Sequence, residues 1–268
     1  MSGFDSRWLA LREPADARAR APALSAALAT WAAGRPLHIV DLGCGSGSNL
    51  RHLSPLLASP QRWTCVDDDP ALLDHVAHEA TADRFVETRR VDLARELDRA
   101  LEPLPDVVTA SALLDLVSVE WLRSLAEGVA RRGAAALFVL SVDGRMEFQP
   151  AHPQDEPVRL AFEAHQRRDK GFGVAAGSDA IVALVPVFER LGYRVETKRS
   201  DWVLESPTDA DLMAPLLGGI AAAAMEQGGG VVAASFSSWL QERLRSLEEN
   251  RLRIVVGHLD VLALPATQ

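Results

Sequence analysis

A glycine-rich turn between a short apolar run and a helical pattern is the feature that most constrains this chain. The apolar run is Leu37–Leu42, and the turn that follows is Gly43–Gly47, with the sequence GCGSG. Leucines then recur at helical spacing, at Leu50, Leu53 and Leu57. The segment therefore predicts a strand, a tight turn and a helix, with backbone N–H groups at the helix N-terminus open to a ligand.

The same alternation of strands and helices continues along the chain. Asp69, Ser118 and Ser178 each stand where the N-cap residue of a following helix is expected. Strands that alternate with helices imply a mainly parallel sheet covered on both faces, so we predict a doubly wound α/β fold. The further predicted strands are Arg62–Asp67, Phe85–Val91, Asp106–Ala110, Ala134–Val142, Tyr193–Lys198 and Leu252–Leu264.

The spacing of the glycines argues against a phosphate-bearing nucleotide. A nicotinamide or flavin dinucleotide site usually has G-x-G-x-x-G, and although Gly43 and Gly45 match, Ser48 stands in place of the third glycine. A P-loop needs a lysine directly after its glycines, and none follows here. The turn instead reads D-x-G-x-G-x-G from Asp41 to Gly47.

Three more segments complete a pattern that begins with this motif. They follow in order as Cys65–Pro70 (CVDDDP), Val91–Leu93 (VDL) and Asp106–Asp115 (DVVTASALLD). Over residues 37–142 the chain resembles the class I S-adenosylmethionine-dependent methyltransferases. The resemblance implies a Rossmann-like, mainly parallel seven-stranded sheet with an antiparallel last strand and helical cap insertions. It also implies an enzyme whose cofactor is S-adenosyl-L-methionine.

The chemistry of this cofactor fits acidic residues at strand ends. S-adenosylmethionine carries an ammonium and a sulfonium but no phosphate, so its site calls for carboxylates and carbonyl oxygens. We predict that Asp41 supports the methionine ammonium, directly or through water. Asp67 is predicted to accept both ribose hydroxyls, with Asp68 as its nearest competitor. The resemblance implies that Asp92 accepts from the adenine amino group and that Leu93 donates its backbone N–H to the ring. The remaining predicted cofactor contacts are Gly43, Cys44, Gly45 and Ser111, and no metal ligand is assigned.

The methyl acceptor is expected to meet the segment Asp143–Gly177, which is too long for a bare connection between a strand and a helix. Within it we predict His165 as the base or as a residue that orients the substrate. The other predicted substrate contacts in this segment are Phe148, Phe162 and, for an anionic group, Arg168 or Lys170. The alternative is that 159–170 is a solvated amphipathic helix with Leu160 and Phe162 facing inward. His258, in the last predicted strand, is expected to be a core residue.

The amino-terminal region Asp5–Ala33 is predicted to be helical, with interruptions near two prolines, and resembles the lids that many small-molecule methyltransferases fold over the cofactor. Trp8 is predicted to cover the pocket. Arg12 is predicted to pair with the methionine carboxylate or with a substrate acid, with Arg18 and Arg20 as rivals. The alternative is a helix that packs against the sheet edge with its arginines in water.

The length of 268 residues fits one large domain with additions. We divide the chain into an N-terminal helical lid (1–35), a cofactor-binding core (37–142), a substrate-cover segment (143–177) and a helical insertion before the last strand (200–250).

Composition excludes several classes of protein. The 28 Lys and Arg residues against 37 Asp and Glu give a net charge of −9, so a globally basic nucleic-acid binder is not expected. Two cysteines do not make a disulfide framework, and no leader pattern or membrane-length apolar run is present, which predicts a cytoplasmic protein without a membrane partner. A monomer or a homodimer is expected.

The predicted function is transfer of a methyl group to an oxygen or nitrogen atom of a small molecule. By the resemblance, SALLD in place of N-P-P-Y after the fourth strand argues against methylation of base amino groups or protein glutamine; C-methylation stays open. One alternative is an RNA or protein methyltransferase that uses the pairs Arg89-Arg90, Arg131-Arg132 and Arg167-Arg168. The other is a non-catalytic member that binds S-adenosylmethionine or a partner.

Overall fold

The computed structural model describes residues 6–228 and 230–266, and within these residues one eight-stranded sheet forms the centre of the molecule. The strands are β1 (Leu37–Leu42), β2 (Gln61–Asp67), β3 (Arg84–Arg90), β4 (Val107–Ser111), β5 (Ala135–Gln149), β6 (Tyr193–Arg199), β7 (Trp202–Glu205) and β8 (Arg253–Pro265).

The strand order is β3-β2-β1-β4-β5-β8-β6, and the pairs from β3 to β5 are all parallel. β8 runs antiparallel to both β5 and β6, and its first part also pairs with β7. The predicted doubly wound α/β fold with an antiparallel last strand is therefore confirmed, and β7 is an addition that the sequence did not indicate. Because the winding reverses between β1 and β4, a crevice forms beyond their carboxyl ends, where ligands of open α/β sheets bind.

Helices cover both faces of the sheet and extend beyond it. They are α1 (Ser6–Ala19), α2 (Pro22–Ala32), α3 (Ser48–Leu53), α4 (Pro70–Ala77), α5 (Leu97–Ala100), α6 (Val119–Arg131), α7 (Asp155–Gln166), α8 (Ala180–Arg190), α9 (Ala210–Gly228) and α10 (Gly230–Glu248). Pro14 lies inside α1 without breaking it, whereas Pro22 begins α2.

Adjacent strand residues face opposite cores, as the period of two in a strand requires. Val40 packs in a core that α6 and α8 complete, and its neighbour Ile39 packs in a core that α2, α3 and α4 complete. A third cluster joins α9 and α10 to β7 and the outer part of β8, and Trp239 is fully buried in it. None of the described helices combines the length and the apolar character that a membrane crossing requires.

Two of the three predicted helix N-cap residues are confirmed. Asp69 accepts from the Ala71 N–H at 2.9 Å, and Ser118 accepts from the Trp121 N–H at 3.2 Å. The prediction for Ser178 is wrong. Its hydroxyl donates to Glu163 at 2.9 Å, and α8 begins at Ala180 without a side-chain cap.

The predicted end of the fifth strand is also wrong. β5 continues from Val142 to Gln149 because β8 supplies backbone partners at the Val142–His258 pair and again from the Met146–Val256 pair to the Gln149–Arg253 pair. Register shifts between Phe138 and Ser141 and between Val142 and Met146 let the strand bend. The first part of the predicted substrate-cover segment is therefore a strand of the sheet.

Candidate active site

A cavity lies in the crevice between β1 and β4, and it collects residues that are far apart in the chain. The turn after β1 and the carboxyl ends of β2, β3 and β4 form its wall, and Leu9 and Arg12 of α1 complete it. All the predicted cofactor contacts except Asp41 line this cavity: Gly43, Cys44, Gly45, Asp67, Asp68, Asp92, Leu93 and Ser111. We call it the first cavity.

The backbone of the glycine turn has positive φ angles, which residues with a side chain adopt only with strain. Gly43, Gly45 and Gly47 have φ values of +61°, +53° and +88°. A Cβ at Gly45 would also stand 3.3 Å from the Leu9 side chain, so α1 packs closely on the turn. The glycines thus allow both the turn and the approach of the α1 helix.

Asp67 fixes the glycine turn to the end of β2. Its Oδ2 accepts from the Gly45 N–H at 2.9 Å, and its Oδ1 accepts from the N–H groups of Asp68 and Asp69 at 2.8 and 3.1 Å. Burial raises the pKa of Asp67, and these N–H donors oppose that rise. Asp68 is exposed, and among the described residues no backbone N–H group donates to its side chain, whereas three donate to Asp67.

Asp41 lies behind the cavity wall rather than in it. It is fully buried, and its Oδ1 accepts from Asn49 Nδ2 at 2.8 Å. Its Oδ2 is buried without a hydrogen-bond partner among the described residues. Burial raises the pKa of Asp41 to about 7. Asn49 itself lines the cavity, so this amide stands between the carboxylate and any ligand.

Arg20 belongs to the same buried network. Its guanidinium donates to Asn49 Oδ1 and, at 3.3 Å, to the Ser111 hydroxyl. It is 6% exposed, and burial lowers its pKa. The structure places this arginine behind Asn49 and Ser111, not in the cavity. Arg18 does not line the cavity either, and it forms an ion pair with Asp209.

Arg12 is the cation at the mouth of the cavity. It forms a two-point ion pair with Asp16, at 2.9 and 3.2 Å, and lies 5.0 Å above the centre of the Trp202 ring. The Trp202 indole N–H also donates to Asp16 at 2.9 Å. These contacts hold α1 over the carboxyl edge of the sheet.

A second cavity of about 690 Å³ opens next to the first, and Arg12, Ala112 and Leu116 line both. Its apolar wall comes from α1, β5, α7, β7 and β8, and includes Trp8, Leu140, Met146, Phe162, Trp202 and Val256. Of the predicted substrate contacts, Trp8, Arg12, Phe162 and Lys170 line it.

Three predicted substrate residues lie elsewhere. His165 Nε2 contacts Glu226 Oε2 at 2.7 Å, and Arg168 contacts the same carboxylate at 2.9 Å. Phe148 is buried edge-on against Trp239, with ring centres 5.3 Å apart. These contacts dock α7 on α9 and β5 on α10. Leu160, which was expected to face inward, is 51% exposed.

Asp115 and His258 line the second cavity, although neither was predicted as a site residue. Asp115 follows β4, and its Oδ1 is buried without a partner among the described side chains. His258 on β8 also lines the cavity, and its Nδ1 lies 3.0 Å from the Val256 carbonyl oxygen, so Nδ1 carries the proton. Burial lowers the pKa of His258 to about 4, which keeps the imidazole neutral. The sequence pointed only to Asp115, which is the last residue of the motif segment Asp106–Asp115.

Comparison with known proteins adds information on the fold. No protein-family model matches the sequence, and no curated protein matches it. The cyclopropane-fatty-acyl-phospholipid synthase-like protein from Lactobacillus casei is 16% identical, with 92% of this chain and 91% of that chain covered and a TM-score of 0.51. YcgJ from Bacillus subtilis is 14% identical, with 92% and 100% covered and a TM-score of 0.50. This chain shares their fold.

A third solved structure is the SAM-dependent methyltransferase from Geobacter sulfurreducens in complex with S-adenosyl-L-homocysteine, at 17% identity and a TM-score of 0.47, with 92% of each chain covered.

In the described part of the chain, the cysteines form no disulfide and the metal-ligating residue types form no metal site. Cys44 and Cys65 are buried free thiols. No group of three or more His, Cys, Asp or Glu side chains in residues 6–228 and 230–266 is placed to hold a metal ion.

Proposed function

We propose that this protein binds S-adenosylmethionine in the first cavity and transfers its methyl group to an oxygen or nitrogen atom of a small molecule in the second. The observation that carries the proposal is the joining of the two cavities. The glycine turn and the strand-end acids line one of them, and it meets an apolar chamber at Arg12, Ala112 and Leu116.

The charges of the first cavity suit a cationic ligand without phosphates. Among the described residues that line it, Arg12 is the one cation, and Asp16 already pairs with it. Asp67, Asp68, Asp69 and Asp92 line the same wall. The unpartnered Oδ2 of Asp41 adds a buried acceptor behind them. A dinucleotide pyrophosphate would meet repulsion here, whereas an ammonium and a sulfonium would be attracted.

Each group in the first cavity has a proposed task. When bound, S-adenosylmethionine supplies an electrophilic methyl group on a cationic sulfur. Asp67 accepts from the ribose hydroxyls, and Asp92 with the Leu93 N–H holds the adenine. Asn49, polarised by its hydrogen bond to Asp41, orients the methionine end. Trp8 and Arg12 of α1 exclude water from the junction, which favours a direct displacement.

A small-molecule acceptor is supported by the shape of the second cavity. Its volume of about 690 Å³ is in the range of ordinary ligand pockets.

The arginine pairs that an RNA or protein substrate would need are engaged with the protein itself. Arg131 pairs with Asp98 at 2.9 Å, Arg167 with Asp179 at 2.8 Å and Arg168 with Glu226 at 2.9 Å.

The proposal is tested first by isothermal titration calorimetry with S-adenosylmethionine, S-adenosylhomocysteine and NAD⁺. We expect saturable binding of the first two and none of NAD⁺. Asp67→Asn should weaken binding roughly tenfold or more, because a charge-assisted hydrogen bond is lost. Asp74→Asn, on the exposed side of α4, should leave it unchanged. Absence of saturable binding by the wild-type protein would refute the cofactor assignment.

The acceptor class is tested with methyl-labelled S-adenosylmethionine and a fractionated cell extract. Label in the small-molecule fraction supports the proposal, and label in RNA or protein supports the macromolecular alternative. Binding without any transfer of label supports the non-catalytic alternative.

A further inference from the structure

Asp115 lies where the two cavities meet. It belongs to a single helical turn, Leu114–Leu116, directly after β4. Ala112 and Leu116, on either side of it in the chain, line both cavities, and Asp115 lines the second. A side chain at this junction is near the point where a group would pass from one ligand to the other.

Oδ1 of Asp115 has no side-chain donor among the described residues, and the one backbone donor beside the carboxylate is the N–H of Asp115 itself, whereas the other acids of the second cavity have donors from other residues. Glu163 accepts from Ser178 at 2.9 Å and from Arg159 at 3.0 Å. Asp169 accepts from the N–H groups of Gly171 and Gly173 at 2.7 and 3.0 Å. Asp115 Oδ1 is buried with no such donor. A buried carboxylate oxygen without a donor is costly, so its persistence at a cavity wall points to a ligand partner.

The nearest cations do not neutralise Asp115 by direct contact. Lys170 donates to Gln166 and Arg12 is held by Asp16, so both act on Asp115 only through their charges. Burial has the larger effect and raises the pKa of Asp115. The carboxylate is therefore a better proton acceptor than an exposed aspartate.

We propose that Asp115 is a catalytic residue that accepts the proton of the group that becomes methylated; this rests on the proposed function. The acceptor is an O–H or N–H compound. Its heteroatom forms a bond to the methyl carbon, the carbon–sulfur bond breaks with its electron pair on sulfur, and the proton passes from the heteroatom to Asp115. The positive charge of the sulfonium and the negative charge of the carboxylate are both lost, so the step is balanced.

The test does not need the acceptor. Sinefungin resembles S-adenosylhomocysteine but carries a primary amine in the place of the transferred methyl group. The ammonium of this probe would reach toward Asp115 at the junction, whereas S-adenosylhomocysteine has no group there. Calorimetry of both ligands on wild-type protein and variants therefore isolates the junction from the rest of the cofactor site.

We expect wild-type protein to prefer sinefungin, and Asp115→Asn to reduce that preference about tenfold while the affinity for S-adenosylhomocysteine changes less than about twofold. Asp115→Ser should behave as Asp115→Asn does, and Asp115→Glu should keep part of the preference. Glu120→Gln, exposed five residues further on, should change neither affinity.

An unchanged sinefungin preference in Asp115→Asn and Asp115→Ser, with S-adenosylhomocysteine still bound, would overturn the role of Asp115 and leave the proposed function intact. Failure of both ligands to bind wild-type protein would instead refute the proposed function, and with it the role of Asp115.

Discussion

Asn49 donates a hydrogen bond of 2.8 Å from Nδ2 to Asp41 Oδ1, and so links a fully buried carboxylate to the cavity wall. The same amide nitrogen lies 2.9 Å from the Thr109 hydroxyl, and the amide oxygen accepts from Arg20. One side chain thus satisfies partners from three parts of the chain. Its loss would leave a buried negative and a buried positive group unsatisfied at once.

Replacement of Asn49 should therefore be costly. We expect Asn49→Ala to lower the free energy of unfolding by about 2–4 kcal/mol, because buried polar partners are left without hydrogen bonds. Chemical denaturation measures this. Gln241→Ala, at an exposed site on α10, should change it by less than about 0.5 kcal/mol. A similarly small change for Asn49→Ala would show that the network is not structural.

Binding of S-adenosylhomocysteine should depend on pH through Asp41. Its pKa of about 7 means that it loses its proton as the pH rises through neutrality, and the ionised form attracts the ligand's ammonium. Affinity should therefore rise roughly tenfold between about pH 5.5 and 7.5. Asp41→Asn should bind more weakly and with a flatter profile. An equally steep profile in the variant would assign the effect to another group.

His258 should make the wild-type protein less stable in mild acid. Its pKa of about 4 in the folded state lies below the value of about 6.5 in an unfolded chain, so the unfolded chain takes up a proton first as the pH falls. The His258→Gln substitution should therefore lower the free energy of unfolding by about 2 kcal/mol less at pH 5 than at pH 7. Denaturation curves of both proteins at the two pH values measure this difference. A constant difference would show that folding leaves the pKa of His258 unchanged.

Gly257 should not tolerate a side chain, although its backbone is an ordinary strand. A Cβ there would stand 2.1 Å from Asp143 Oδ1 and 2.8 Å from the Arg145 side chain. We expect Gly257→Ala to cost about 1–3 kcal/mol of stability. Gly219→Ala is the matched control, because no atom lies within 4 Å and alanine favours α9. It should gain about 0.5–1 kcal/mol. A neutral Gly257→Ala would mean that the Asp143–Arg145 pair moves freely.

The sequence was informative where a signal is local. The glycines at 43–47 and the acid Asp67 sit at the ends of short apolar runs, and parallel strands bring their carboxyl ends to one edge. The order of the segments therefore located the first cavity without knowledge of side-chain directions. Asp69 and Ser118 were predictable as helix caps because the N–H groups that they accept from lie only two and three residues away.

What could not be predicted depends on contacts between distant residues. Arg20 meets Asn49, 29 positions away, and Asp260 accepts from the Ala21 N–H, 239 positions away. His165 sits in a cluster typical of a site, but the docking of α9 turns it toward Glu226, 61 positions away. His258 was expected in the core, and it is buried there, but the bends of β5 open a cavity beside it.

A crystal structure with S-adenosylhomocysteine would test the central claim most directly. We predict adenine beside Asp92 and Leu93, ribose hydroxyls on Asp67 and the methionine end at Gly43 and Asn49. The sulfur should face the junction at Ala112, Leu116 and Asp115. A ligand bound outside the first cavity, or with its sulfur directed away from the second cavity, would contradict the central claim.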